Sequence, residues 1–145
     1  MLVEPYLSFE GRCEEALEFY KKAIGAEVTM LMRFKDNPDA GKAGEGCPGG
    51  TMPPDIDNKV MHSSFRVGKS TIMATDGGCN GKGGFAGISL TLAVDTPAEA
   101  EKYFAALSEG GAVNMPLGKT FFSPAFGLVA DRFGVHWMVL ASPAA

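Results

Sequence analysis

The sequence predicts an α+β fold in which one βαβββ unit is used twice. Three observations carry that expectation: two amphipathic helical segments that resemble each other, a strand on either side of each, and a hairpin closing each half.

The first strand is VEPYLSF, residues 3–9, where apolar and polar side chains alternate. In RCEEALEFYKKAIGAEV, Cys13, Ala16, Leu17, Tyr20, Ala23 and Ile24 fall on one helical face, and Gly25 supplies the C-terminal stop. A strand begins near Val28, and the half closes with MHSSFRV, a two-residue turn at Gly68 and Lys69, and STIMATD. The second half opens with ISLTLAV, residues 88–94. Its helix starts at TPAE: Thr96 is the N-cap, Pro97 suits the first helical position and Glu99 completes a capping box. Ala100, Tyr103, Phe104 and Leu107 form the expected buried face, closed by Gly110 and Gly111. A strand near Val113 follows, then a hairpin of FGLVA and VHWMVLA around a turn at residues 131–134. The helical segments align as EEALEFY…IGAEV against AEAEKYF…EGGAV, the internal sign of duplication. A half of about 70 residues buries little core alone. One domain over 1–145 is therefore expected, with module one at about 1–76, a glycine-rich linker at 77–86 and module two at about 87–142.

A net charge of −4 and the lack of a basic stripe argue against nucleic acid as a partner. The longest apolar runs fall far short of the roughly 18 residues that span a bilayer. The N-terminus lacks the pattern of a signal peptide, so a soluble cytoplasmic protein is expected. Cys13, Cys47 and Cys79 form no C-x-x-C pair, which speaks against a disulfide framework or structural zinc. Cys13 reads as a small core residue, and Cys47 and Cys79 fall in glycine-rich loops.

Two segments are irregular. Residues 36–58, rich in Gly, Pro and Asp, are too long for a routine connection and read as a mobile lid or a disordered excursion. Residues 117–126, LGKTFFSPAF, either cover the corresponding place in the second half or form a loop anchored in the core by Phe121 and Phe122.

Strand alternation divides the side chains into two sets. One is apolar and belongs under the helices: Leu7 and Phe9, Phe65 and Val67, Ile72 and Ala74, the series from Ile88 to Val94, and Val135, Trp137 and Val139. The other holds Glu4, Tyr6, Ser8, His62, Ser64, Arg66, Met73, Ser89, Thr91, His136 and Met138. That second face reads either as solvated sheet or, lacking the usual Lys and Glu, as the wall of a ligand cavity.

The motifs PYLSFEGRCEEALEFYKKAIGA and FGLVADRFGVHWMV, with the duplicated βαβββ pattern, resemble the vicinal oxygen chelate superfamily of glyoxalases, bleomycin resistance proteins and extradiol dioxygenases, above all its PhnB-like branch. The resemblance covers nearly the whole chain. It implies paired modules forming a U-shaped mixed sheet around a cavity, helices on the outer face, and a homodimer. Metal-binding members carry His, Glu or Gln ligands on four strands; carried across, those positions are Glu4, Met73, Ser89 and Met138. Thioethers favour soft ions and a serine hydroxyl is a poor ligand, so no metal or other cofactor is expected. Glu4, His62 and His136 remain as a candidate two-histidine, one-carboxylate set or as metal-free acid/base groups. Arg66 either holds an anionic ligand group or pairs with a carboxylate such as Glu4. PhnB-like proteins often bear the name of methyltransferases, yet the sequence has no glycine-rich strand-to-helix turn of the S-adenosylmethionine type.

The expectation is a metal-independent small-molecule binding protein. Tyr6, Ser64, Arg66, Met73, Ser89, Thr91 and Met138 are its ligand-binding candidates. The alternative is a glyoxalase- or dioxygenase-like enzyme acting through Glu4, His62 or His136, with or without a divalent metal.

Overall fold

The computed structural model describes residues 1–38, 55–77 and 84–143. Cys47, Cys79, most of the segment expected as a lid and residues 78–83 of the expected linker lie outside the described residues. The chain divides into two units, Met1–Gly83 and Gly84–Ala145, with the boundary inside that linker.

The first unit runs β1 (Tyr6–Ser8), α1 (Cys13–Ile24), β2 (Glu27–Arg33), β3 (Val60–Val67) and β4 (Ser70–Thr75). Its sheet has the order β1-β4-β3-β2, with β1 parallel to β4 and the other pairs antiparallel. The second runs β5 (Ser89–Val94), α2 (Pro97–Ser108), β6 (Ala112–Gly118), β7 (Phe126–Ala130) and β8 (His136–Ala141), in the order β5-β8-β7-β6. There β5 is parallel to β8, so topology repeats along with sequence. The α+β class and the βαβββ repeat are both present.

In the first unit α1 packs on β3 and β2. Cys13, Ala16, Leu17, Tyr20, Ala23 and Ile24 are all buried, and the Tyr20 ring stacks on Phe65 at 5.7 Å between centroids. Acidic Glu14 and Glu15 in the first turn and basic Lys21 and Lys22 in the last suit the helix dipole. Gly25 closes the helix at φ 67°, a left-handed conformation that glycine adopts without strain. No local side chain caps the start of α1. Asp76, buried at the end of β4, takes that role: Oδ1 accepts from the Gly11 and Cys13 amides, both at 2.8 Å, and Oδ2 from the Val60 amide at 3.0 Å.

In the second unit α2 packs on β8 and β7, burying Ala100, Phe104 and Leu107 against Val129, Trp137 and Val139. Thr96 and Glu99 form the expected capping box, with both reciprocal bonds at 3.2 Å. Gly127 lies where a β-carbon would collide with the Phe104 ring and the Leu117 backbone, so glycine lets helix and strands approach. The turn after β7 is held by buried Asp131: Oδ1 accepts from the Phe133 and Val135 amides and Oδ2 from Trp137 Nε1 at 2.8 Å.

Ile88, expected to lie under the helix, is 66% exposed and precedes β5. Three further expectations need correction. The first strand is only Tyr6–Ser8, not 3–9; Val3 is 95% exposed and Glu4 lies before the ladder. β1 is an edge strand, and Pro5 has no N–H to extend it, although its carbonyl accepts from Met73 N at 2.9 Å. Tyr103 is half-buried rather than core, with Lys102 Nζ 5.6 Å from its ring centroid. Phe121 and Phe122 do not anchor their loop in the core: they are 101% and 44% exposed, in an edge-to-face chain with Phe126.

Candidate functional site

In each unit one face of the sheet lies under the helix and the other carries the polar and sulfur-bearing side chains. Backbone register sets that second face in the first unit. Tyr6 pairs with Met73, Met73 with Ser64 and Ser64 with Met30, which makes one row across all four strands. A neighbouring row runs from Glu27 to Arg66 to Thr71, and on the other side Met32 pairs with His62. Phe65, Ile72 and Ala74, one residue out of step, are buried on the helix side.

The two-residue turn at Gly68 and Lys69 sets the hairpin register, pairing Ser64 with Met73 and Arg66 with Thr71. His62 and Thr75 lie just beyond the last described pair, Ser63 with Ala74. Thr75 is buried, and its hydroxyl donates to the Met61 carbonyl at 2.6 Å.

Two contacts define this face chemically. The Tyr6 hydroxyl lies 3.2 Å from His62 Nδ1, and the two rings stack at 5.6 Å with planes 23° apart. Arg66 pairs with Glu27 at 2.7 Å. Its carboxylate partner is thus Glu27 rather than Glu4. Glu27 became Arg66's neighbour through the β2–β3 register, which shifts at a bulge between Val28 and Met30 and escapes simple alternation. Met30 and Met32 also join this face; their spacing of two was the signal that could have found them.

In the second unit Ser89 pairs with His136, Thr91 with Met138 and Met138 with Leu128. The Thr91 hydroxyl lies 3.9 Å from Met138 Sδ. Ser89 and Thr91 are exposed, and His136 and Met138 are half-buried. Trp137, between those two in sequence, is buried on the helix side, so adjacent residues serve opposite faces. A hollow of about 470 Å³ elsewhere in this unit is bordered by Thr96, Pro97, Lys119, Phe122, Pro124 and Pro143, and it contains none of the residues expected to bind ligand.

Tyr6, His62, Ser64 and Met73 therefore come together, with Arg66 one row away. Ser89, Thr91, His136 and Met138 form the matching group of the second unit. Glu4 precedes β1 and lies outside its hydrogen-bonded ladder. Within either unit, among the described residues, no three His, Cys, Asp or Glu side chains are grouped to hold a metal ion. At the four positions where metal-binding members carry ligands, the thioethers of Met73 and Met138 and the hydroxyl of Ser89 do not fit a hard or borderline divalent ion.

Residues 2–140 match the sequence profile of the family described as 3-demethylubiquinone-9 3-methyltransferase. The chain belongs to that family. Among curated relatives of this 3-demethylubiquinone-9 3-methyltransferase family member, Protein YjdN of Escherichia coli K12 is 34% identical over 140 residues, covering 96% of this chain and 94% of its own. Protein PA1353 from Pseudomonas aeruginosa has a solved structure similar to this one, with a TM-score of 0.81, 39% identity and 98% of each chain covered. A putative 3-demethylubiquinone-9 3-methyltransferase, PhnB protein, from Bacillus cereus aligns with a TM-score of 0.76 and 28% identity over 98% of this chain and 100% of its own. More distant structures of glyoxalase/bleomycin resistance proteins, at 18% and 11% identity with TM-scores of 0.60 and 0.67, share the fold. The PhnB-like family and the vicinal oxygen chelate fold expected from the sequence are thereby established.

Proposed function

We propose that the chain is a metal-independent small-molecule binding protein, cytoplasmic and homodimeric. The observation that carries this reading is the repeated composition of the sheet faces turned away from the helices. In both units a methionine on the strand beside the parallel edge strand, Met73 or Met138, is flanked by hydroxyl-bearing and imidazole side chains. Thioethers adapt their shape to a ligand, and the few polar groups around them give orientation. The same methionines replace the donors that a hard metal ion would need. The two strand-to-helix turns, 9–12 and 95–96, contain a single glycine between them, which offers no support for a methyl-donor site like those at glycine-rich turns.

Metal analysis of protein purified without chelator tests this directly. The expected result is substoichiometric Zn, Ni, Fe and Mn together with melting temperatures that rise in the presence of compounds from a small-molecule panel. A stoichiometric divalent metal that is lost in Glu4→Ala would instead establish the metal-dependent enzyme. Sedimentation at micromolar concentration tests the dimer, and a monomer there overturns that part of the reading.

A further inference from the structure

The geometry points to Tyr6 and His62 as a two-point polar anchor for an uncharged planar aromatic ligand that carries a hydroxyl group. This inference deepens the small-molecule binding reading and rests on it.

The Tyr6 hydroxyl and His62 Nδ1 share one hydrogen, at 3.2 Å. If the phenol donates, Nε2 keeps its proton and the phenol oxygen keeps its lone pairs. If Nδ1 donates, the phenol proton is released outward and Nε2 is an acceptor. In either tautomer the pair presents one donor and one acceptor, and among the described residues no other hydrogen bond engages the His62 ring. A ligand hydroxyl is complementary to both arrangements, because it donates and accepts at once.

The surroundings select the rest of the ligand. Tyr6 is 52% exposed although it is a large aromatic pinned to the sheet by its pairing with Met73, and on the same face Met32 of β2 pairs with His62 while Met30 pairs with Ser64. Thioether sulfurs make favourable contacts with aromatic rings, so Met73 beside Tyr6 and Met32 beside His62 flank the stacked pair with a surface suited to a flat conjugated ring. Arg66, the cation of this face, already carries Glu27 at 2.7 Å. A carboxylate or phosphate arriving there meets a cation whose charge Glu27 already offsets, whereas an uncharged ligand needs no cation.

Titration of the full-length protein, labelled with ¹³C at the methionine methyls, tests the anchor with four probes: 2-naphthol, 2-methoxynaphthalene, 2-naphthoate and decahydro-2-naphthol. The expected result is that 2-naphthol shifts the Met30, Met32 and Met73 methyl signals through its ring current and binds about tenfold more tightly than the other three. Tyr6→Phe and His62→Gln should each weaken 2-naphthol by about tenfold while the methyl spectrum of the free protein stays folded. Equal 2-naphthol affinity in wild type and both variants overturns the anchor, as does equal or tighter binding of decahydro-2-naphthol or 2-naphthoate. In those cases the binding reading survives if any panel compound binds. If nothing binds, both fall.

Discussion

Cys13 lies on the buried side of α1 with 0% exposure, its sulfur 3.7 Å from the Ser63 hydroxyl. Burial pushes the thiol from its ordinary 9.0 up to about 12; the Ser63 contact opposes this, while the charges of Asp76 and Glu14 add to it. A thiol raised in the fold stays neutral while the unfolded chain ionises. Its contribution to stability is therefore complete below about pH 9 and is lost as the pH climbs from there toward the folded value. The stability advantage of wild type over Cys13→Ala should narrow by roughly 1 kcal/mol per pH unit above about pH 9, read from urea midpoints. A gap that stays constant through that range would refute it. The core role of Cys13 was legible because its helical spacing matches that of Leu17, Tyr20 and Ile24. So was the split between His136 and Trp137, since period-two alternation survives unaltered in a strand paired on both sides. The Arg66 partner was not legible, because pairing across strands depends on where bulges fall.

At the level of elements, the two helices solve the same problem in different ways. The first turn of α2 is capped from within the tetrapeptide that begins it, by Thr96 and Glu99, which is why TPAE announced the helix. The first turn of α1 is capped from across the unit by Asp76, whose carboxylate also holds the start of β3, and no local pattern reveals a partner 63 residues away. Removing each cap should therefore have unequal consequences. Thr96→Ala gives up the exposed hydroxyl that accepts from the Glu99 amide and should destabilise by about 1 kcal/mol. Asp76→Ala strands three amides, two of them in the buried interior, and should cost about 2 to 4 kcal/mol. Urea unfolding of the two variants side by side checks the ordering, and equal losses would contradict it. The shortened β1 has a local cause. Alternation continues back to Val3 in the sequence and β4 runs on to Ser70, but Pro5 has no N–H to donate and the ladder stops at Tyr6.

For the whole molecule, the expectation of one domain over 1–145 concerns cooperativity. Units of about 60 to 80 residues are near the size at which a lone core supplies only a few kcal/mol, so neither is expected to persist once the other has unfolded. The chain carries its own reporters for this. Trp137, the single tryptophan, belongs to the second unit and is buried beside Asp131, so its fluorescence follows that unit. Cys13 belongs to the first, and in a background with Cys47→Ser and Cys79→Ser its reaction with a thiol reagent follows that one. Asp131→Ala deprives the Phe133 and Val135 amides and the Trp137 indole of their shared acceptor, and it should lower second-unit stability by about 2 to 4 kcal/mol. In a coupled molecule that substitution moves both reporters to the same lower urea concentration, because a two-state transition has one midpoint whichever probe reads it. If the tryptophan transition moves while Cys13 stays protected to the wild-type midpoint, the units fold independently. The duplicated sequence then describes two domains rather than one.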